Sequence, residues 1–336
     1  MVNDLIKSEV RTLQKVGGSL ALYLPKEWCE INNVSKGSKI NLRYSDDFIC
    51  LDVDRPEKVK GLSIDTTSLL EGELKYIIIS LYILGFDYVK FTSNRRISLP
   101  LRRYLVSSLK HTPEYKVVDE GDNFITIKRV GEGEDLIKAL IREFNIVSTV
   151  LRYALEAIES GKDFWDYSDA VEELDSEVDR ARTEVERAAY KLTEKPYLNP
   201  LKMRYVIPSV LISKLLERLA DHIVLLISEL EKPPNELRRS LLELLNELNS
   251  NYEGLRKVFE DHFPSKQIIS IEDVGPTISK LVYIVEGKKK FREVVIKTLQ
   301  GISSELVMYH VIRIYDYLTD TAEVLINVLV DSTSHA

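Results

Sequence analysis

Cysteine is nearly missing: Cys29 and Cys50 are the only two among 336 residues. Two solitary thiols with no CxxC pair exclude a disulfide framework and a thiolate metal site, and they fit a reducing compartment. Histidine is scarce as well. His111, His222, His262, His310 and His335 never stand at HxxxH or HExxH spacing, which excludes a helix-borne zinc-hydrolase motif. There is no glycine-rich phosphate loop, no nucleophile elbow and no set of nucleophile, base and orienting group. The expectation is a protein that is not an enzyme. Long apolar runs are lacking too. The most apolar stretch, Tyr76–Gly85 (YIIISLYILG), is half the ~20 residues that a membrane span requires. The opening MVNDLIKSEVRTLQK has no apolar signal-peptide core. A cytoplasmic location is expected.

What is present is a well-folding composition, 44% apolar and 29% charged, long enough for two or three domains. The formal net charge of -7 means that the molecule as a whole does not attract nucleic acid. Residues 7–43 differ. Lys7, Arg11, Lys15, Lys26, Lys36, Lys39 and Arg43 face only Glu9, Glu27 and Glu30, a basic surplus in an acidic chain. This region reads as short strands. Arg11–Lys15 and Leu20–Leu24 flank the Gly17-Gly18 turn, and Pro25 opens a short helix over Lys26–Ile31. Lys39–Tyr44 and Phe48–Val53 then flank Ser45-Asp46-Asp47 as a hairpin. So few short strands cannot bury a core alone, so pairing with a second copy is expected.

Residues 62–131 read as a small α/β unit. A helix over Leu69–Leu84 has Asp65, Thr66, Thr67 and Ser68 as capping candidates. A strand over Asp87–Thr92, a helix over Pro100–Lys110 and a hairpin across Gly121-Asp122 follow. From residue 134 to 332 nearly everything is helical, with breaks at Gly161, Lys195-Pro196 to Pro200, Lys232-Pro233-Pro234, Pro264 and Gly287. The segments 134–160, 165–195 and 200–231, then 234–263, 267–287 and 289–331, divide into repeats 134–231 and 234–331 of three helices each. In the second helix Val171, Leu174, Val178, Ala181, Val185, Ala188 and Leu192 form one apolar stripe.

Carboxylates stand four apart at Asp175/Asp179, Glu217/Asp221 and Asp316/Asp320. Each pair shares a helix face and repels by about 0.2–0.5 kcal/mol unless a cation intervenes. Oxygen ligands suit Mg, Ca, Mn or Fe, and two such helices side by side would bring four carboxylates to one site. Arg180 and Arg218 offer neutralisation without metal. In the head, Arg11, Lys15 and Ser19 around the glycine turn are suited to phosphate contact; the alternative is a solvated edge guarded by lysine.

The run Arg11-Thr-Leu-Gln-Lys15-Val-Gly-Gly-Ser19, then Leu24-Pro-Lys-Glu-Trp28, then Lys36-Gly-Ser-Lys-Ile40 resembles a SpoVT/AbrB domain, a swapped-hairpin β-barrel in which two chains make one DNA-binding dimer. The resemblance implies DNA contact by Arg11, Lys15, Ser19 and Lys26. Asp175-Ser-Glu-Val-Asp179-Arg180 and Glu217-Arg-Leu-Ala-Asp221-His222 resemble the E/D-xxx-D motifs of PhoU, a phosphate-uptake regulator of two three-helix repeats. That implies metal at Asp175, Asp179, Glu217 and Asp221: iron, or another divalent ion such as Zn, Mg or Mn. The second repeat departs from the motif, with Thr277 and Ile312 where acids are expected, and Asp316 and Asp320 as partial substitutes. The combination is similar to archaeal PhoU-type regulators with an AbrB head.

A mainly α, multidomain fold is expected: head 1–58, α/β unit 62–131 and helical body 134–332. The implied function is DNA-binding control of phosphate uptake by a homo-oligomer. Two alternatives are an adaptor on a phosphate ABC transporter ATPase that never touches DNA, and a metal store.

Overall fold

The computed structural model describes residues 8–44, 49–53, 59–131, 133–160, 164–194, 200–230, 234–263 and 270–333. The expected turn at Ser45-Asp46-Asp47 and the helix breaks at Gly161, Lys195–Pro196, Lys232-Pro233 and Pro264 lie outside these residues. The chain divides into two units, Met1–Lys58 and Val59–Ala336.

In the first unit, β1 (Gln14–Val16) and β2 (Ser19–Ala21) pair antiparallel across Gly17, whose φ of +61° suits a residue without a side chain. Helix α1 (Lys26–Ile31) follows Pro25, and β3 (Asn41–Tyr44) pairs with β4 (Ile49–Asp52). The strands are shorter than the sequence pattern predicts. Within one chain the two hairpins stay separate two-stranded ladders, and the described residues form no closed barrel. A swapped barrel needs strands from a second chain. No described residue here is buried, and Val16, Leu20, Leu42, Tyr44 and Ile49 are each more than half exposed. Isolated hairpins are marginal in water. This head has no core of its own.

The second unit begins with a four-stranded sheet. Its strands β5 (Gly61–Asp65), β6 (Tyr88–Thr92), β7 (Tyr115–Glu120) and β8 (Phe124–Arg129) lie in the order β5-β6-β8-β7, with β5 parallel to β6 and the other pairs antiparallel. Helices α2 (Glu71–Ile83) and α3 (Leu99–Ser108) cover one face. Leu74, Ile78 and Tyr82 pack there on Val89, Phe91, Ile125 and Ile127. The other face is open and carries Tyr88, Lys90, Lys116 and Lys128. One expectation is corrected. Asp65 and Thr66 do not cap α2: Asp65 ends β5 and accepts from Thr67 N–H (2.9 Å), while Leu70 stands at the N-cap with Glu73 accepting from its N–H (2.9 Å). Helix α3 is capped by Ser98, which accepts from Leu101 N–H at 3.3 Å.

Six helices complete the unit: α4 (Leu136–Ser160), α5 (Phe164–Glu194), α6 (Pro200–Ser228), α7 (Asn235–His262), α8 (Ile271–Leu299) and α9 (Glu305–Thr333). Two bundles, α4-α5-α6 and α7-α8-α9, share one continuous core through α6 against α9 and α4 against α7. The expected break at Gly287 does not occur. Helix α8 runs through it because Gly287 is a contact point: a Cβ there would stand 2.5 Å from Tyr315 Oη, which donates to Ile284 O (3.0 Å). The chain turns instead at Gly301, whose φ is +85°. No helix among the described residues is long and apolar enough to cross a membrane.

Candidate functional site

In the head, ladder register decides which side chains act together. Lys15 opposes Leu20, whereas Ser19 opposes Val16, so Lys15 and Ser19 point to opposite faces of the hairpin. Arg11 precedes β1, and its Nε donates to Glu9 Oε2 at 2.9 Å. Lys26 sits on α1, 3.6 Å from Glu30. Lys15 is exposed and makes no ion pair with a described residue. Of the four expected DNA contacts, Lys15 has no acid partner among the described residues, Arg11 and Lys26 each have one, and Ser19 is on the face opposite Lys15.

In the body, α5 and α6 bring all four expected carboxylates into one field. Asp175 is pushed up to about 6, first by burial and then by Asp179 and Glu217. Asp221 is also pushed up to about 6, by burial, then Glu217 and Asp175. Half-buried like charges resist ionising together. The protein answers only part of this charge. Lys214 Nζ lies 2.9 Å from both Glu217 oxygens, with Arg182 at 3.7 Å and Arg218 at 3.5 Å. Asp221 has Arg218 at 3.7 Å. Asp179 lies 3.7 Å from His111 Nδ1, but burial and Lys75 lower the pKa of that imidazole and favour its neutral form. Asp175 has no cation partner among the described residues. Among those residues no three His, Cys, Asp or Glu side chains converge as ligands. The four carboxylates share a field rather than a coordination sphere, and Asp175 is its least neutralised member among the described residues.

The second bundle answers its acid with its own cations. Asp316, nearly buried on α9, takes Lys288 at 3.2 Å and Arg313 at 2.8 Å. Asp320, one turn on, is half-buried.

Two features, buried Glu143 and the pairing of His222 with His310, were not foreseen from the sequence. Glu143 on α4 is fully buried, its pKa raised well above the carboxylate range by that burial; Ser213 Oγ donates to its Oε2 at 2.5 Å and its Oε1 has no partner. Its signal was an acid between Leu140 and Phe144 on an apolar face. His222 on α6 and His310 on α9 meet at 2.8 Å between their Nδ1 atoms, beside Tyr309 and Tyr317. One nitrogen must accept there, so at least one ring is neutral. His222 is lowered to about 4 by burial, then by His310 and Arg313.

Comparison with known proteins gives two family matches. The model described as PhoU domain matches residues 140–230. The model described as antidote-toxin recognition MazE, bacterial antitoxin, matches residues 13–61. Among solved structures, the crystal structure of the phosphate transport system regulatory protein PhoU from Streptococcus pneumoniae is similar. Its TM-score is 0.44 at 18% identity, over 58% of this chain and 94% of that chain. No curated protein matches.

Proposed function

Since the chain carries a MazE-type antitoxin domain ahead of a PhoU domain, we propose that it is a DNA-binding, phosphate-responsive regulator without enzymatic activity that works in the cytoplasm. The observation that carries the reading is the head: a basic hairpin unit with no buried residue among those described and a row of exposed apolar side chains. Such a unit gains a core by pairing with a second copy, and pairing would set two copies of Lys15 on one assembly. The body acts as the sensing part. Asp175 and Asp221 would hold a hydrated divalent ion of the Mg type, which keeps several waters and takes one or two carboxylates. A closed iron or zinc site would need more ligands than these residues bring together. A bound ion would relieve the repulsion between them.

The test is retention of a random 30-base-pair duplex between 50 and 200 mM salt. The Arg11→Ala/Lys15→Ala variant is expected to bind more weakly, with a log–log salt slope shallower by up to about 3.6 for the paired head, at 0.9 per phosphate contact over two copies of each residue. Equally poor binding by both proteins at low salt would overturn DNA binding. The acid partners of Arg11 and Lys26 favour a second reading, an adaptor that docks on a phosphate transporter ATPase. It predicts no salt-dependent retention of either protein.

A further inference from the structure

The open face of the β5–β8 sheet has a charge arrangement that folding alone does not explain. Lys116 on β7 and Lys128 on β8 are register partners, so their side chains stand directly opposite each other. Like charges in that relation destabilise a sheet. Neither makes an ion pair with a described carboxylate, and both are exposed. Lys128 is in turn opposite Tyr88 on β6, and Tyr88 is opposite Gly61 on β5. The row across the sheet is therefore glycine, tyrosine, lysine, lysine. A Cβ at Gly61 would collide with the Tyr88 ring. The hydroxyl end of the ring lies over the glycine, and the side chain is 42% exposed. Lys90, one step along β6, holds its ammonium 4.4 Å from the centroid of Phe124. Two acids belong to this face. Asp65 is held by Thr67 at one end, and Asp119 is opposite Thr126.

We propose that this face binds single-stranded nucleic acid, with Lys116 and Lys128 on the phosphates and a base stacked on Tyr88. A polyanion supplies the counter-charge that the lysine pair lacks. An exposed aromatic ring on a sheet can take the π-face of an unpaired base, which a duplex hides within its stack. A second copy of the same sheet is disfavoured, because two copies would oppose lysine to lysine. An acidic peptide would satisfy the lysines but would gain nothing from the ring. The site belongs to the second unit, and the expected ligand of the head is duplex DNA.

The test uses the full chain with Arg11→Ala/Lys15→Ala to silence the head, and fluorescein-labelled dT12 followed by polarisation at 50 to 200 mM NaCl. Saturable binding is expected, weakening with salt. Lys116→Gln/Lys128→Gln should flatten the log–log salt slope by about 1.4, at 0.7 per single-strand contact. Tyr88→Ala should lose about tenfold in affinity with the slope unchanged. Lys116 and Lys128 are exposed, so the urea midpoint of the lysine variant should not fall below that of its parent. Absence of dT12 binding at 50 mM salt, or equal binding by the lysine variant, overturns the proposal. Displacement of dT12 by a poly-glutamate peptide whose own binding is indifferent to Tyr88→Ala overturns it in favour of an acidic protein partner.

Discussion

Replacing Asp175 by asparagine should make the chelated protein more stable at neutral pH. An aspartate that ionises near 3.8 in the open chain is held up to about 6 in the fold. Above pH 6 the folded state carries a charge that its surroundings resist. A shift of that size corresponds to at most ~3 kcal/mol, at 1.36 kcal/mol per unit. Asp175 is half-buried, and its titration is coupled to that of Asp221, so solvent screening and shared protons reduce the expectation to about 1–2 kcal/mol. The side chain accepts no hydrogen bond and has no ion pair among the described residues, so asparagine forfeits no contact seen there.

The direction with pH follows. Between about pH 4 and 6 the folded state binds the extra proton, so this contribution to stability is present below 3.8 and is lost as pH rises through 6. Urea denaturation with EDTA at pH 4.5 and 7.5 should show Asp175→Asn exceeding wild type by clearly more at the higher pH. The matching rise in Tm is a few degrees, at about 2–4 °C per kcal/mol for a domain of 150–250 residues. Added Mg or Mn should stabilise wild type at pH 7.5 and the variant much less. A variant that is weaker than wild type at pH 7.5, or a wild type indifferent to both metals, refutes the reasoning.

Three further outcomes are expected. His222 is held near 4, below the ordinary imidazole value of 6.5, so its contribution to stability is present above 6.5 and is lost as pH falls toward 4; His222→Phe should flatten that acid-side loss in denaturation midpoints. Glu143→Gln should leave stability at pH 7 nearly unchanged, because the fully buried carboxyl is already pushed toward its neutral form, whereas Glu143→Asp should cost stability by pulling the group away from Ser213. Gly287→Ala should destabilise by about 1–3 kcal/mol through overpacking against Tyr315. In contrast, Gly254→Ala, with nothing within 4 Å, should gain about 0.5–1 kcal/mol in helix propensity. Equal effects of the two glycine substitutions in thermal melts would contradict the packing described at Tyr315.

How far the sequence could be read depended on the range of the interaction involved. The stripe from Val171 to Leu192 is local and periodic, so the amphipathic helix it predicts is present, with Val171, Val178 and Val185 fully buried. Gly287 misled because local propensity weighs glycine as a breaker, while its reason here is a tyrosine 28 positions away in sequence. The carboxylates on α5 and α6 were visible as i,i+4 pairs. Their neutralisation was not: Arg182 reaches Glu217 from another helix, and only packing reveals that Glu217 is largely answered and Asp175 is not. The His222–His310 contact joins positions 88 apart, one from each bundle. In the head the turn was legible. The opposed facing of Lys15 and Ser19 depended on ladder register, which shifts every side chain when it slips by one residue.

The head adds a thermodynamic consequence to the proposed function. Val16, Leu20, Tyr44 and Ile49 are 58 to 76% exposed in one chain. Leaving side chains of this size in water forgoes about 1.5–3 kcal/mol for each that a partner could bury fully. A head folded alone is therefore marginal, and one paired with a second copy need not be. If pairing also creates the cationic surface, DNA binds the paired form and not the separate ones. Mass action then makes the ligand a stabiliser of assembly. Dilution should weaken DNA binding more steeply than one-site binding allows, and duplex DNA should raise the apparent dimer affinity by the same factor. A head whose affinity for duplex is independent of protein concentration would separate assembly from recognition and remove the reason for so much exposed apolar surface.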